Sequence, residues 1–364
     1  MKKTVATLAT LAGLGVLGAV FMTRYPLFGR RPSKTDQQRY ARSAQFSNGK
    51  FQNELPFQLK MEWDTMKSIL KDYGRELPSL KPVKPLPVVP FEQRTDGTEP
   101  RVTWFGHSAF LLELDQQTIF FDPMLGRAPS PFPKLGGGRF QTTAQVDLDA
   151  LPPIDLVIYS HDHYDHLDYH SVLALKDRVG QFIVPLGVAS RLKGWGVDPA
   201  RITELDWHES VETNGLRLTA TPARHYSGRN GLDQFSTLWA SWVIEGSKKI
   251  FFSGDSGYGP HFKAIGEQYG PFDLTIMECG QYDTRWSSSH MLPEQTLAAH
   301  LDVKGDVMIP VHWSAFTLAF HPWFEPVERV LKEAAKHDVP VVTPMIGESV
   351  TATSQTRKWW REVR

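Results

Sequence analysis

The chain has 364 residues, long enough to bury a large core as one catalytic domain or two small ones. Lysine plus arginine equals aspartate plus glutamate at 40 each, so no net field draws the chain onto DNA or RNA, and a nucleic-acid partner is not expected. The single cysteine, Cys279, excludes an intramolecular disulfide and thiolate-rich zinc sites.

At the N-terminus Lys2 and Lys3 precede an uncharged, mostly apolar run over residues 4–23, closed by Arg24. About 20 such residues are what a helix needs to cross a bilayer, so residues 1–29 read as a membrane anchor. A cleaved signal peptide is the rival, but its apolar stretch is about 7–15 residues long and ends at small residues, whereas this run continues through Val20, Phe21 and Met22. A buried soluble helix is the third reading. The expected location is a bacterial inner membrane. Arg24, Arg30, Arg31 and Lys34 outweigh Lys2 and Lys3, which favours a cytoplasmic domain; the short tail and signal-like start argue the reverse.

Residues 30–100 are polar and proline-studded, with Leu80-Lys81-Pro82-Val83-Lys84-Pro85-Leu86-Pro87 an extended spacer, and only 61–73 patterned as a helix. This stretch reads as a lead-in that wraps a catalytic domain. From Arg101 short apolar strands at 102–105, 109–114 and 118–121 open that domain as a meander. Further strands are expected at 156–159, 182–184, 217–221, 238–244, 249–252, 274–277, 307–310 and 340–342, with helices at 169–175, 293–300 and 325–337. Strands mixed with helices imply an α/β sandwich. One catalytic domain over 101–347, followed by a tail at 348–364, is the economical division.

The chemistry concentrates after the buried-strand run at 154–159, where Ser160 delivers His161-Asp162-His163-Tyr164-Asp165-His166. His161 and His163 are two apart, so in an extended segment both rings project to one side and can share a metal, while Asp162 and Tyr164 point away. If the chain then turns into a helix, Asp165 and His166 face a second metal beside the first. Imidazole with carboxylate suits zinc, and also manganese or iron. A solvated polar loop is the bland alternative, and the hydrophobic strand in front argues against it.

This run resembles the His-x-His-x-Asp-His signature of the metallo-β-lactamase superfamily. Thr103-Trp104-Phe105-Gly106-His107-Ser108 and Phe121-Asp122-Pro123 look like that family's opening hairpins. More narrowly, residues 161–168 and Val311-His312-Trp313-Ser314-Ala315-Phe316 resemble the branch containing N-acylphosphatidylethanolamine-hydrolysing phospholipase D. The resemblance implies a four-layer αβ/βα sandwich holding two divalent ions, zinc by preference. One ion would take His161, His163 and His225; the other Asp165, His166 and His312; Asp255 would bridge them. His208 and His261 compete with His225 but lack its strand-then-turn setting. His107 reads either as a neighbour of the site or as a turn residue, and Asp122 as a structural turn residue near the site.

A water between two divalent ions loses its proton near neutral pH and becomes the nucleophile. The resemblance makes Asp255 and Asp165 the catalytic carboxylates and adds His290, from His290-Met291-Leu292-Pro293-Glu294, for the oxyanion or leaving group, with Tyr282 and Trp313 as pocket walls. The implied substrate is the phosphodiester of an (N-acyl)phosphatidylethanolamine-type phospholipid, met at the membrane surface. A lactone or other ester hydrolase is the alternative within the fold, and a non-catalytic metal-binding membrane protein the alternative outside it. Glu278-Cys279-Gly280-Gln281 departs from the small-residue run of the branch, which bears on lipid specificity.

Overall fold

Short apolar runs buried on both faces build two sheets that face each other across one core. The computed structural model describes residues 20–364 apart from 22, 58–62, 74, 76, 93–98 and 134–136. The lead-in contributes α1 (Lys34–Tyr40), the hairpin of β1 (Phe46–Ser47) and β2 (Lys50–Phe51), and α2 (Trp63–Tyr73). Helix α1 starts where Ser33 accepts from the Asp36 backbone N–H and Asp36 accepts from that of Ser33, satisfying two donors the first turn would leave free. The meander follows as β3 (Arg101–Trp104), β4 (Phe110–Leu114) and β5 (Gln117–Phe121). Then come β6 (Ile154–Ile158), α3 (Tyr169–Leu175), β7 (Val179–Pro185), α4 (Ala189–Gly194) and β8 (Ile202–Leu205). The second half runs β9 (Ser210–Thr213), β10 (Leu216–Thr221), β11 (Ser241–Glu245), β12 (Lys249–Phe252), α5 (His261–Gln268), β13 (Phe272–Glu278), α6 (Pro293–Asp302), β14 (Gly305–Val311), α7 (Glu325–Ala334) and β15 (Ser349–Val350).

One sheet has the order β15-β3-β4-β5-β6-β7-β8 and the other β14-β13-β12-β11-β10-β9. Strands β5 to β8 are parallel, as are β12 to β14, and the rest of each sheet is antiparallel. Along β12 the side chains alternate between two partners. Phe252 packs edge-on to Phe110 and Phe121 of the opposite sheet, while Phe251 turns to Phe262 of α5. On the far side of the first sheet Leu111, Phe120, Val157 and Phe182 are covered by Val172 and Leu175 of α3 and Leu192 of α4. The result is an α/β sandwich.

Three parts of the chain expected to lie outside the catalytic domain belong to its packing. The boundary at Gly347 falls inside the core, because β15 pairs with β3 and Trp359 and Trp360 are buried against Trp313, itself stacked on Trp104 at 5.4 Å. Trp313 is therefore a core residue rather than a pocket wall. Residues 26–30 are also docked: the carbonyl of Pro26 accepts from Trp195 Nε1, that of Leu27 from Arg229, and those of Phe28 and Arg30 from Arg191. The lead-in packs as well, through Tyr40 and Phe51, both fully buried. Residues 340–342 make only an isolated bridge, Met308 to Val341, because Pro340 lacks the donor a ladder needs. Among the described residues no helix is long and apolar enough to cross a membrane. The anchor expected over residues 4–23 lies outside those residues except at 20, 21 and 23, and Met61 and Glu62 of the expected helix lie outside them too.

Trp360 is closed off on all sides, with its Nε1–H donating to Glu328. Trp360→Ala removes that packing and leaves a void, so it should cost about 3–5 kcal/mol. Urea unfolding should show a lower midpoint at unchanged slope; a shift worth less than 1 kcal/mol would contradict the placement of the tail in the core.

Candidate metal centre

Strand ends bring the site together. Strand β6 leads into His161, β10 into His225, β12 into Asp255 and β14 directly into His312, all at one end of the sandwich. The sheets meet tightly there. Gly254 has φ 54°, and a Cβ on it would stand 2.7 Å from the Ala240 carbonyl oxygen and 3.0 Å from Ser160, so only glycine lets Asp255 reach its place. His107, Asp122, His312 and Ser314 also hold left-handed backbone, a strain of order 1–3 kcal/mol each that the surrounding structure must overcome.

Two groups of ligand atoms result. In the first, His163 Nδ1 lies 2.9 Å from His161 Nε2 and 3.1 Å from His225 Nε2. In the second, Asp165 Oδ2 lies 2.9 Å from His107 Nε2, 3.4 Å from His312 Nε2 and 3.6 Å from His166 Nε2. Asp255 Oδ2 stands between them, 3.0 Å from His166, 3.2 Å from His312 and 3.8 Å from both His161 and His225. His290 stacks on His312 with ring centroids 5.0 Å apart and approaches His225 at 5.2 Å. All seven residues expected as ligands therefore converge, with His107 and His290 beside them. The competitors do not: His208 lies near Tyr269, and His261 is buried against Ser256. Tyr282 spends its hydroxyl on Glu325 and stacks on His321.

In four of these rings, His161, His166, His225 and His312, the inward nitrogen is fixed by what the other ring nitrogen does. Nδ1–H of His225 donates to the Ser289 carbonyl at 3.0 Å and that of His312 to Gly280 at 3.2 Å, which turns Nε2 of each ring toward Asp255. His166 Nδ1 donates to Asp122 Oδ2 at 2.7 Å. Asp122 also accepts from the Ser160 backbone N–H and hydroxyl, and Ser160 Oγ in turn accepts from His161 Nδ1. Asp122 is thus no mere turn residue; it orients two rings of the motif. The alternate residues point the other way, as the two-residue period requires. Asp162 takes Arg191 Nε and Nη2 at 3.1 and 3.0 Å, and Arg191 also pairs with Asp233, all fully buried; the Tyr164 hydroxyl donates to the Arg229 carbonyl. Burial pushes the Asp162 carboxyl up, but Arg191 holds it below the usual range.

Comparison with known proteins decides the family. The β-lactamase superfamily domain matches residues 117–313, more than half of the chain. The chain belongs to the metallo-β-lactamase superfamily. An uncharacterised Mycobacterium tuberculosis protein is 41% identical over 328 residues, 88% of each chain. N-acyl-phosphatidylethanolamine-hydrolyzing phospholipase D 1 of Caenorhabditis elegans is 35% identical over 245 residues, 64% of this chain and 68% of that one. Among solved structures, the metallo hydrolase Igni18 of Ignicoccus hospitalis superposes with a TM-score of 0.54 at 24% identity, over 71% of this chain and 100% of that one, and shares the fold.

The centre of this metal-dependent hydrolase fits divalent cations on its own chemistry. His166 Nε2 and Asp255 Oδ1 are buried and have no hydrogen-bond partner. Ligand atoms about 2.0–2.1 Å from a tetrahedral ion stand roughly 3.3 Å from one another, close to the spacings around His163 and Asp255. Burial, reinforced by neighbouring imidazoles, pushes His161 and His225 well below the usual histidine range, so both are neutral and ready to coordinate. Burial likewise lowers His107, to about 3. His166 and His312 go the other way. Burial disfavours their charge, but the Asp255 and Asp165 carboxylates overcome it, lifting His166 well above the usual range and His312 to about 10. The same pairing holds both carboxyls well below theirs despite burial.

A sign follows for metal uptake. At neutral pH the group around His163 binds with no proton to lose, whereas His166 and His312 must give up theirs. Affinity at the Asp165 half should therefore rise with pH, and zinc binding should release protons. Calorimetry in buffers of different ionisation enthalpy measures this; uptake without proton release would contradict it. Asp122→Asn, which weakens the hold on His166, should reduce metal affinity by about 10–100-fold in a chelator competition while leaving the fold intact.

Proposed function

We propose that the chain is a two-metal phosphodiesterase that cleaves a phospholipid head group, with zinc the preferred ion and residues 4–23 anchoring it to a membrane. The observation that carries the reading is the seat of Asp255 Oδ2 within 3.0–3.8 Å of imidazoles from both ligand groups, as a bridging carboxylate requires. In this reading His161, His163 and His225 hold one ion and Asp165, His166 and His312 the other. Divalent ions held there supply Lewis acidity and a water nucleophile at neutral pH, and two cations suit a phosphodiester because its transition state spreads negative charge over several oxygens. The phospholipid comes from the relative in Caenorhabditis elegans, whose name states that class of substrate.

The remaining roles fall to the chain's own side chains. Asp255 keeps its second oxygen, Oδ1, free to orient the nucleophile. His290 keeps 15% of its side chain exposed beside the ligands, where it can hold a proton for the leaving oxygen. Behind it Glu278 is fully buried, its Oε2 3.8 Å from His290 Nδ1, and neither atom has a hydrogen-bond partner. A shift of the ring by less than 1 Å on substrate binding brings the two within reach.

Metal-replete protein should hold about two ions per chain by elemental analysis, and phosphorus NMR of phospholipid vesicles should show the phosphodiester converted to a diacylglycerol phosphomonoester as the head-group alcohol leaves. Asp255→Asn keeps the shape, removes the bridging charge and should lower turnover by several orders of magnitude with folding unaffected. An active variant with full metal content would show that another carboxylate bridges. Metal-dependent turnover of lactones with none of phosphodiesters would replace the substrate while keeping the centre.

A further inference from the structure

Away from the metal centre, a groove of about 960 Å³ runs between the docked N-terminal segment and helices α3 and α4. Among the described residues four cationic side chains line it, Arg24, Arg30, Arg31 and Lys193, and no carboxylate does. The three arginines are exposed, and Arg31 has as its polar partner the neutral side chain of Asn230. The acid that Lys193 influences is Asp36, which is engaged in capping α1 through Ser33. Tyr169, Leu173 and Trp195 supply the apolar wall, with Leu173 38% exposed. Such a groove, cationic at its rim and apolar along one side, matches a phosphate head group with its acyl stem.

Its surroundings select the occupant. Tyr25 lines the groove and packs on Phe132, which also stacks on Phe21. Val20, Phe21 and Phe132 are 50%, 40% and 39% exposed, an apolar rim of a kind a soluble surface has no use for. That rim continues in sequence into the uncharged residues 4–19. Aromatic residues beside basic ones, next to an apolar run, are the composition of a chain at a lipid interface. The groove also borders the metal-binding segment, since the Arg229 guanidinium lies over the Trp195 ring at 5.1 Å and over the Tyr164 ring at 3.9 Å.

We propose that this groove binds the phosphate head group of an anionic phospholipid at the bilayer surface, as a lipid site separate from the catalytic centre. It does not depend on which bond that centre cuts. Lys193 discriminates this from a simpler account, in which the basic residues after the apolar run serve only to set its orientation, because Lys193 is distant in sequence and meets the arginines only across the groove.

The test uses the full-length chain in detergent, titrated with phosphatidylglycerol or phosphatidylcholine and read by native mass spectrometry as lipids retained per chain. Phosphatidylglycerol should be retained preferentially, and Lys193→Gln should weaken its retention about fivefold, the effect of one cation near an anionic surface. Arg30→Gln with Arg31→Gln should weaken it further, with unchanged circular dichroism showing that both variants fold. Equal retention of the two lipids, or a neutral Lys193→Gln, overturns the proposal. Soluble glycerol phosphate at millimolar concentration should displace little of the lipid; full displacement would make this a free-phosphate site and overturn the assignment to the bilayer.

Discussion

Everything at the functional end of this molecule depends on keeping one carboxylate oxygen, Asp255 Oδ2, among four buried imidazoles that arrive on strands of both sheets. Burying carboxylates and imidazoles is costly unless each is paired, and here the groups are paired mainly with one another. The arrangement is stable only if no ring can turn away. That explains why the second nitrogens of His161, His166, His225 and His312 are held by Ser160, by Asp122 and by the carbonyls of Ser289 and Gly280. It also explains the glycine at 254 and the strained backbone at His312. A divalent pair would replace repulsion between imidazolium protons with coordination, so the site is built more for cations than for protons.

Much of this was legible from local pattern. The motif shows its faces because an extended segment alternates, and the structure sends His161 and His163 one way and Asp162 and Tyr164 the other. His225, Asp255 and His312 could be found because each follows an apolar strand run. What stayed hidden were partners that local pattern cannot connect. Asp122 looked like a turn residue because its role lies 38 and 44 residues away, at Ser160 and His166. Trp313 sits next to a ligand but turns into the core, because left-handed backbone at His312 and Ser314 breaks the strand's alternation just where the ligand falls. Strands β8 and β9 are short and half-exposed, with too little apolar signal to register.

The lead-in and tail show the same limit at larger scale. Composition marks residues 26–30 as the flank of an apolar run and 348–364 as a polar ending, yet both supply parts the catalytic domain needs. Arg191 and Arg229 are the reason at the N-terminal side. Both are buried, both carry more N–H donors than side-chain acceptors can satisfy, and the carbonyls of Leu27, Phe28 and Arg30 take the surplus. A chain cut at Arg30 would strip Arg229 of the Leu27 carbonyl and Arg191 of that of Phe28.

That docking changes what an anchor would do. A loose tether raises the local concentration of a membrane-bound substrate but leaves orientation free. Here Leu27, Phe28 and Arg30 are bonded to Arg229 and Arg191, which also bind the backbone of Asp162 and Leu167 and the side chain of Asp162. The chain therefore leaves the domain from a fixed place relative to the metal motif. If residues 4–23 lie in a bilayer, the opening beside His290 keeps a set attitude to the lipid surface, and the gain is one of orientation as well as concentration. The rigid link, and not the anchor alone, would then distinguish attack on a lipid in the membrane from attack on a small ester in solution.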